Sequence, residues 1–180
     1  MSRCGLALLA SVVALGLGGL GGLGESAGAQ VLGSDAAACR PGEGPAIAVE
    51  ITGLKDRTGE LKLELYPGEE ADFLKDDRVL IAAGKIFRRV SVATPASGAP
   101  MLCIRVPRPG RYALLLTHNR DGKNKFSVWT DGAGFASNAK LGRSRPKVEQ
   151  ALVEVGAGVT TVRITVQYLR GLGGFGPVKP

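Results

Sequence analysis

Zinc chemistry, single-strand nucleic-acid binding and membrane spanning each need residues that this chain has in short supply. It holds one histidine and three cysteines. One of those cysteines, Cys4, lies near the start, and the other two are far apart, so the spacing of a zinc site is missing. Aromatic residues make up 5% of the sequence and do not interleave with the basic ones, which excludes the stacking platforms of single-strand binders. Beyond residue 29 no stretch is long or apolar enough to span a bilayer. There is no internal repeat and no βαβ alternation, and with them go the Rossmann and P-loop architectures.

The sequence does carry a leader. Arg3 supplies early positive charge, an apolar run follows from Leu6 to Leu17, and Ala27-Gly28-Ala29 has the small-x-small pattern of a signal peptidase site. Residues 1–29 therefore read as a cleaved secretory signal, with Gln30 as the mature N-terminus and the periplasm or the exterior as destination. Cys4 precedes the apolar run, so it is no lipoprotein site. The remaining roughly 150 residues suit one domain with a real core. The net charge of +7 survives cleavage, because Arg3 and Glu25 leave together. Lys140, Arg143, Arg145 and Lys147 form a local excess that an envelope polyanion could meet, although solubility alone explains it more simply. Cys39 and Cys103 remain in the mature chain. An oxidising compartment permits a disulfide between them, and the sequence leaves the pairing open.

From Ala46 onward the hydrophobic period is two. Ile47, Val49 and Ile51 define a first strand, and Leu61, Leu63 and Leu65 a second. The polar turn Lys55 to Gly59 between them predicts a hairpin. Glu69 to Asp77 is the one helical stretch. Further strands are expected at 85–93, 101–106, 111–118, 147–155 and 159–169, with a polar loop over 119–146. The arm 30–45 precedes the domain of 46–170, and the glycine- and proline-rich tail 171–180 is expected to be disordered. Seven short strands with regular turns predict an all-β, antiparallel β-sandwich with one short helix.

The polar loop is the densest concentration of chemistry. Pro109-Gly110-Arg111-Tyr112, then His118, Asp121, Gly122, Lys125 and Phe126, then Gly132-Ala133-Gly134-Phe135 with Ser137-Asn138, resemble the bacterial exported proteins catalogued as domain of unknown function 2141. The resemblance covers about residues 45–169. It implies an exported sandwich of immunoglobulin-like or transthyretin-like kind and no particular activity.

The family loop also looks like a calcium loop, whose alternating oxygen ligands surround a glycine turn. Here the ligand positions are Asn119, Asp121 and Lys123, the turn position is Asn124, and the twelfth is Thr130. Lys123 puts a cation where an anion belongs, so no cofactor is expected. Asn119, Asp121 and Asn138 are expected instead to hold the loop by Asx-type bonds.

His118 falls on the core side of its strand and is expected to pin the loop, bonded to loop carbonyls or to Asp121 or Asp131. Trp129 and Phe135 are expected to cap the open end of the core. The functional expectation is a non-enzymatic envelope module that binds or scaffolds through His118, Asn119, Asp121, Lys125, Trp129, Asp131, Phe135, Ser137 and Asn138. Its partner would be a polyanion, a glycan or a protein, and not nucleic acid. The alternatives are a periplasmic hydrolase using His118 with Asp121 or Asp131 and Ser137, or a purely structural domain. Ser137 lacks the Gly-x-Ser-x-Gly elbow that a hydrolase nucleophile would favour.

Overall fold

A computed structural model describes residues 30–123, 125–142 and 144–178. The leader, Asn124, Arg143 and the last two residues lie outside this set. The described residues form eleven strands: β1 (Val31–Leu32), β2 (Ala46–Thr52), β3 (Glu60–Pro67), β4 (Arg88–Ala93), β5 (Met101–Arg105), β6 (Gly110–Asn119), β7 (Gly132–Phe135), β8 (Leu152–Val155), β9 (Val159–Thr165), β10 (Gln167–Leu169) and β11 (Phe175–Pro177). One α-helix, α1, covers Asp77–Ala82.

The strands form the expected β-sandwich. A four-stranded sheet runs β1-β5-β2-β9, and a seven-stranded sheet runs β11-β10-β7-β6-β3-β4, with β8 also on β6. The larger sheet is antiparallel throughout. In the smaller one β2 pairs antiparallel with β5 and parallel with β9, and β1 pairs parallel with β5. Between the sheets lie Ile47, Val49 and Ile51 of β2, Leu61, Leu63 and Leu65 of β3, and Leu114 and Leu116 of β6. These side chains are almost fully buried, and removing their apolar surface from water supplies the main stabilising term.

A second apolar cluster lies on the outer face of the seven-stranded sheet. Tyr66, Ala113, Ala133 and Phe135 meet Phe73, Leu80, Leu141 and Val148 there. The segments 69–82, 136–142 and 144–150 thus cover a face that a simple sandwich leaves to solvent.

Several elements differ from the expectation. The 53–59 segment is no hairpin, since β2 and β3 belong to different sheets and the turn carries the chain across the sandwich. The helix begins at Asp77, not Glu69. Asp76 caps it through the Arg78 backbone N–H, and 69–74 is a series of turns. The 119–146 segment contains β7. Residues 148–150 form a 3-10 turn before β8. The strand expected over 159–169 is divided at Val166, with β9 in one sheet and β10 in the other. The described part of the tail forms a 3-10 turn at Gly171–Gly173 and strand β11.

The N-terminal arm is built in as well. Cys39 and Cys103 are joined by a disulfide with Cα atoms 5.9 Å apart, within the usual range. Asp35 accepts from the Arg88 guanidinium and from the Arg105 N–H at 2.9 Å. The Arg88 hydrogen bond holds its carboxyl below the usual range against the opposing effect of burial.

Candidate functional site

Glycine decides the local geometry of the loop region. Gly132 and Gly134 of β7 face inward, against the crossing point of β9 and β10. A Cβ at Gly132 would meet Val166 at 2.4 Å and the Tyr168 ring at 2.5 Å, and one at Gly134 would meet Ile164 at 2.6 Å. Only the bare backbone fits there. Gly132 lies between His118 and Tyr168 in register, so the Tyr168 ring lies across it and reaches the histidine.

The His118 ring is fully buried and saturated. Its Nε2 lies 2.8 Å from the Thr58 carbonyl. A carbonyl only accepts, so Nε2 carries the proton. Nδ1 then accepts from the Tyr168 hydroxyl at 2.6 Å, and that hydroxyl oxygen accepts from the Lys55 N–H at 3.0 Å. Burial holds the imidazole below its ordinary pKa, partly offset by the Thr58 bond, and pushes the Tyr168 phenol up to about 12. The histidine therefore pins the 53–59 crossover. Among the described residues the expected partners Asp121 and Asp131 do not bond its ring, and neither does any other side chain of 119–146.

That loop is secured by its own residues on the outer side. Asp131 is buried, and its two oxygens accept from the Arg120 N–H at 2.9 Å and the Ser127 N–H at 2.8 Å. Arg120 bonds Asp56 through its Nε at 2.9 Å and the Thr130 carbonyl at 2.8 Å. The Asp56 carboxyl is held far below its ordinary pKa, chiefly by that guanidinium. Asp121 accepts from the Lys123 N–H at 3.0 Å. Among the described residues no group of three His, Cys, Asp or Glu is placed to hold a metal ion.

Beneath the loop, on the outer face of the seven-stranded sheet, lies a cavity of about 270 Å3. Leu115, Ala133, Phe135, Leu74 and Phe126 give it apolar walls, and Lys62, Lys123 and Lys125 also line it. Leu74 holds φ at +58°, a left-handed conformation that costs a bulky residue roughly 1–2 kcal/mol. Such strain is concentrated at binding sites in general.

The carboxylates at and beside the cavity are hydrogen-bonded. Glu64 accepts from Arg89 at 2.5 Å and from the Tyr66 hydroxyl at 2.8 Å. Glu60 accepts from Lys62 at 3.0 Å and from Asn119 Nδ2 at 2.9 Å. Asn119 Nδ2 also donates to the Lys123 carbonyl at 3.1 Å. Both partners are acceptors, which fixes the carboxamide orientation. Asn119 Oδ1 is then the one buried side-chain polar atom among the described residues with no partner.

The loop signature places the chain in relation to known proteins. Residues 49–163 match the model of a family described as uncharacterized protein conserved in bacteria, domain of unknown function 2141. The chain belongs to that family. No curated protein and no solved structure matches it significantly.

Within this family member eight of the nine candidate loop residues divide into three groups, and Trp129 stands apart. Asn119, Lys125, Asp131 and Phe135 meet at the cavity. His118 faces the opposite side of the sheet. Asp121, Ser137 and Asn138 are built into turns, with Ser137 Oγ accepting from the Ala139 N–H at 3.2 Å. Asn138, at φ +54°, donates to the Arg163 carbonyl at 2.8 Å and accepts from the Thr165 N–H at 2.7 Å. Neither aromatic caps the open end of the inter-sheet core, since Phe135 belongs to the cluster on the outer face. Phe135 is buried against Phe73 at 5.7 Å, whereas Trp129 is 82% exposed at the loop tip. It sits in a turn closed by bonds from Thr130 and Asp131 to the Ser127 carbonyl, which directs residue 129 outward.

Sequence reasoning missed Lys62, Glu64, Leu74 and Leu115. Lys62 and Glu64 alternate with core leucines and so read as a solvated strand face. The signal that could have found them is Leu115, an apolar residue at an outward position between Leu114 and Leu116.

Proposed function

We propose that this protein is an exported, non-enzymatic binding module of the bacterial cell envelope, whose site is the cavity under the 119–146 loop. The observation that carries the reading is that cavity, with its apolar walls and three lysines among its lining residues. Export is supported by the tripartite leader and by the Cys39–Cys103 disulfide, a bond that persists in oxidising compartments. Among the described residues no helix is long and apolar enough to cross a membrane.

A hydrolase reading has little support. His118 has both nitrogens engaged, and Ser137 lies beyond Phe135, which pairs with Leu115, while Gly132 at the other end of β7 pairs with His118. Cell fractionation with N-terminal sequencing tests export, and the mature chain is expected in the periplasm or medium beginning at Gln30. Binding is tested by methyl-resolved NMR of the mature protein against the small-molecule fraction of an envelope extract. Shifts are expected at Leu74, Leu115 and Ala133. Undiminished binding after replacement of residues 122–129 by a short Gly-Ser linker would remove this site.

A further inference from the structure

The tip of the 119–146 loop carries side chains that neither turn chemistry nor packing asks for. Ser127, Val128, Trp129 and Thr130 make a tight turn, closed by the Thr130 N–H to the Ser127 carbonyl at 3.2 Å. The central positions of such turns favour glycine, proline, asparagine, aspartate and serine. Here they hold Val128, 45% exposed, and Trp129, 82% exposed, with Phe126 beside them at 43%. Trp129 belongs to none of the apolar clusters and does not line the cavity. The tip is therefore a feature separate from the cavity.

The turn is held from below. The Asp131 N–H also donates to the Ser127 carbonyl at 2.9 Å, and Asp131 Oδ2 accepts from the Ser127 N–H at 2.8 Å. Arg120 donates to the Thr130 carbonyl at 2.8 Å. Side chains displayed on a fixed backbone give up little freedom when something covers them.

The surroundings of Trp129 narrow down what that something is. A sugar needs placed polar groups beside the ring, and Asp121, Thr130 and Asp131 are already bonded within the loop. A stable protein interface buries about 800 Å2 on each partner. Three partly exposed side chains, at about 150–250 Å2 for a whole aromatic one, fall well short of that. A lipid surface needs neither. It accepts a small apolar tip, and tryptophan favours the boundary where its ring meets acyl chains and its N–H meets headgroups. Charge agrees with this choice. The chain carries +7 overall. Lys125, exposed one residue before Phe126, makes no ion pair among the described residues. Anionic headgroups attract such a molecule.

We propose that the 126–129 turn is a lipid-surface anchor. Val128 and Trp129, flanked by Phe126, enter the interfacial layer of a bilayer containing anionic lipid, and Lys125 lies among the headgroups.

Trp129 is the only tryptophan in the chain, so its emission reports on the tip alone. The mature protein, disulfide intact, is mixed with vesicles of phosphatidylethanolamine and phosphatidylglycerol. The emission is expected to move to the blue and to be quenched by lipids brominated in their acyl chains. Trp129→Ala is expected to weaken co-sedimentation with these vesicles about tenfold, the loss of burying one large apolar side chain. Its urea midpoint is expected to stay at the wild-type value. Val128→Asp keeps the fluorophore and is expected to abolish the blue shift. Lys125→Gln is expected to weaken binding about fivefold. Arg111→Gln removes the same charge at the opposite end of β6 and is expected to change binding little. Unshifted emission, or wild-type binding by Trp129→Ala or Val128→Asp, overturns the proposal. Equal weakening by Arg111→Gln overturns it too, because attachment is then a matter of net charge alone. So does a response to protein only, in which vesicles leave the emission unmoved while lipid-free envelope proteins shift the single indole N–H signal of the 15N-labelled chain.

Discussion

Asn138 occupies the open edge of the four-stranded sheet, and its removal has a calculable cost. β9 is the last strand of that sheet, and its outer backbone groups have no neighbouring strand. The Asn138 carboxamide satisfies one carbonyl and one N–H, those of Arg163 and Thr165, as a paired strand would. The residue also holds φ at +54°. Asn138→Gly deletes the two hydrogen bonds but keeps the left-handed backbone at ease. At about 0.5–1.5 kcal/mol for each bond, and toward the low end at an exposed site, the loss is about 1.5 kcal/mol. Asn138→Ala deletes the same bonds and adds a left-handed Cβ penalty of about 1–2 kcal/mol, for a total near 3 kcal/mol. For a domain of this size the glycine variant is expected to melt roughly 3–6 °C lower and the alanine variant roughly 6–12 °C lower. Urea unfolding with the disulfide intact measures both. Equal losses for the two variants would refute the backbone argument, and wild-type stability for both would refute the edge argument. Size-exclusion chromatography adds a separate reading, because an uncovered edge favours association between copies.

Other expectations follow from the same structure. Gly134→Ala places a Cβ 2.6 Å from Ile164 and 2.9 Å from the Thr165 carbonyl, and is expected to cost about 1–3 kcal/mol in urea unfolding. Burial lowers the folded-state pKa of His118, so the unfolded chain binds that proton more tightly. Its contribution to stability is complete above about pH 6.5 and is lost as pH falls from there through the lower folded-state value. Wild-type urea midpoints are thus expected to fall between pH 7.5 and 5, and His118→Gln to flatten that slope. Reduction of Cys39–Cys103, which closes a separation of 64 residues, is expected to cost about 4 kcal/mol by the chain-entropy relation, measured as unfolding with and without reductant.

Strands with strict alternation, such as Ile47-Val49-Ile51 and Leu61-Leu63-Leu65, were legible in the sequence because each buries one face. β7 was not, since its inner positions are Gly132 and Gly134 and closeness of approach replaces hydrophobicity there. The turn at 55–59 has hairpin chemistry, yet turn residues do not state which sheet the next strand joins. The break at Val166 was hidden because apolar alternation continues through it while the strand changes partners. Half of the cavity was legible as a polar loop. The other half came from β3, β6 and the 69–74 turns, whose outward residues become walls only once a distant loop folds over them.

β9 and β10 are one length of chain shared by two sheets, with Val166 as the joint. A sandwich whose sheets are linked only by loops can part like two boards, each board intact. Here parting would tear a strand from β2 on one side or from β7 on the other. The two sheets are therefore expected to lose amide protection together, in one global opening, and a ligand held on the outer face would stabilise the four-stranded sheet as much as the seven-stranded one that it touches.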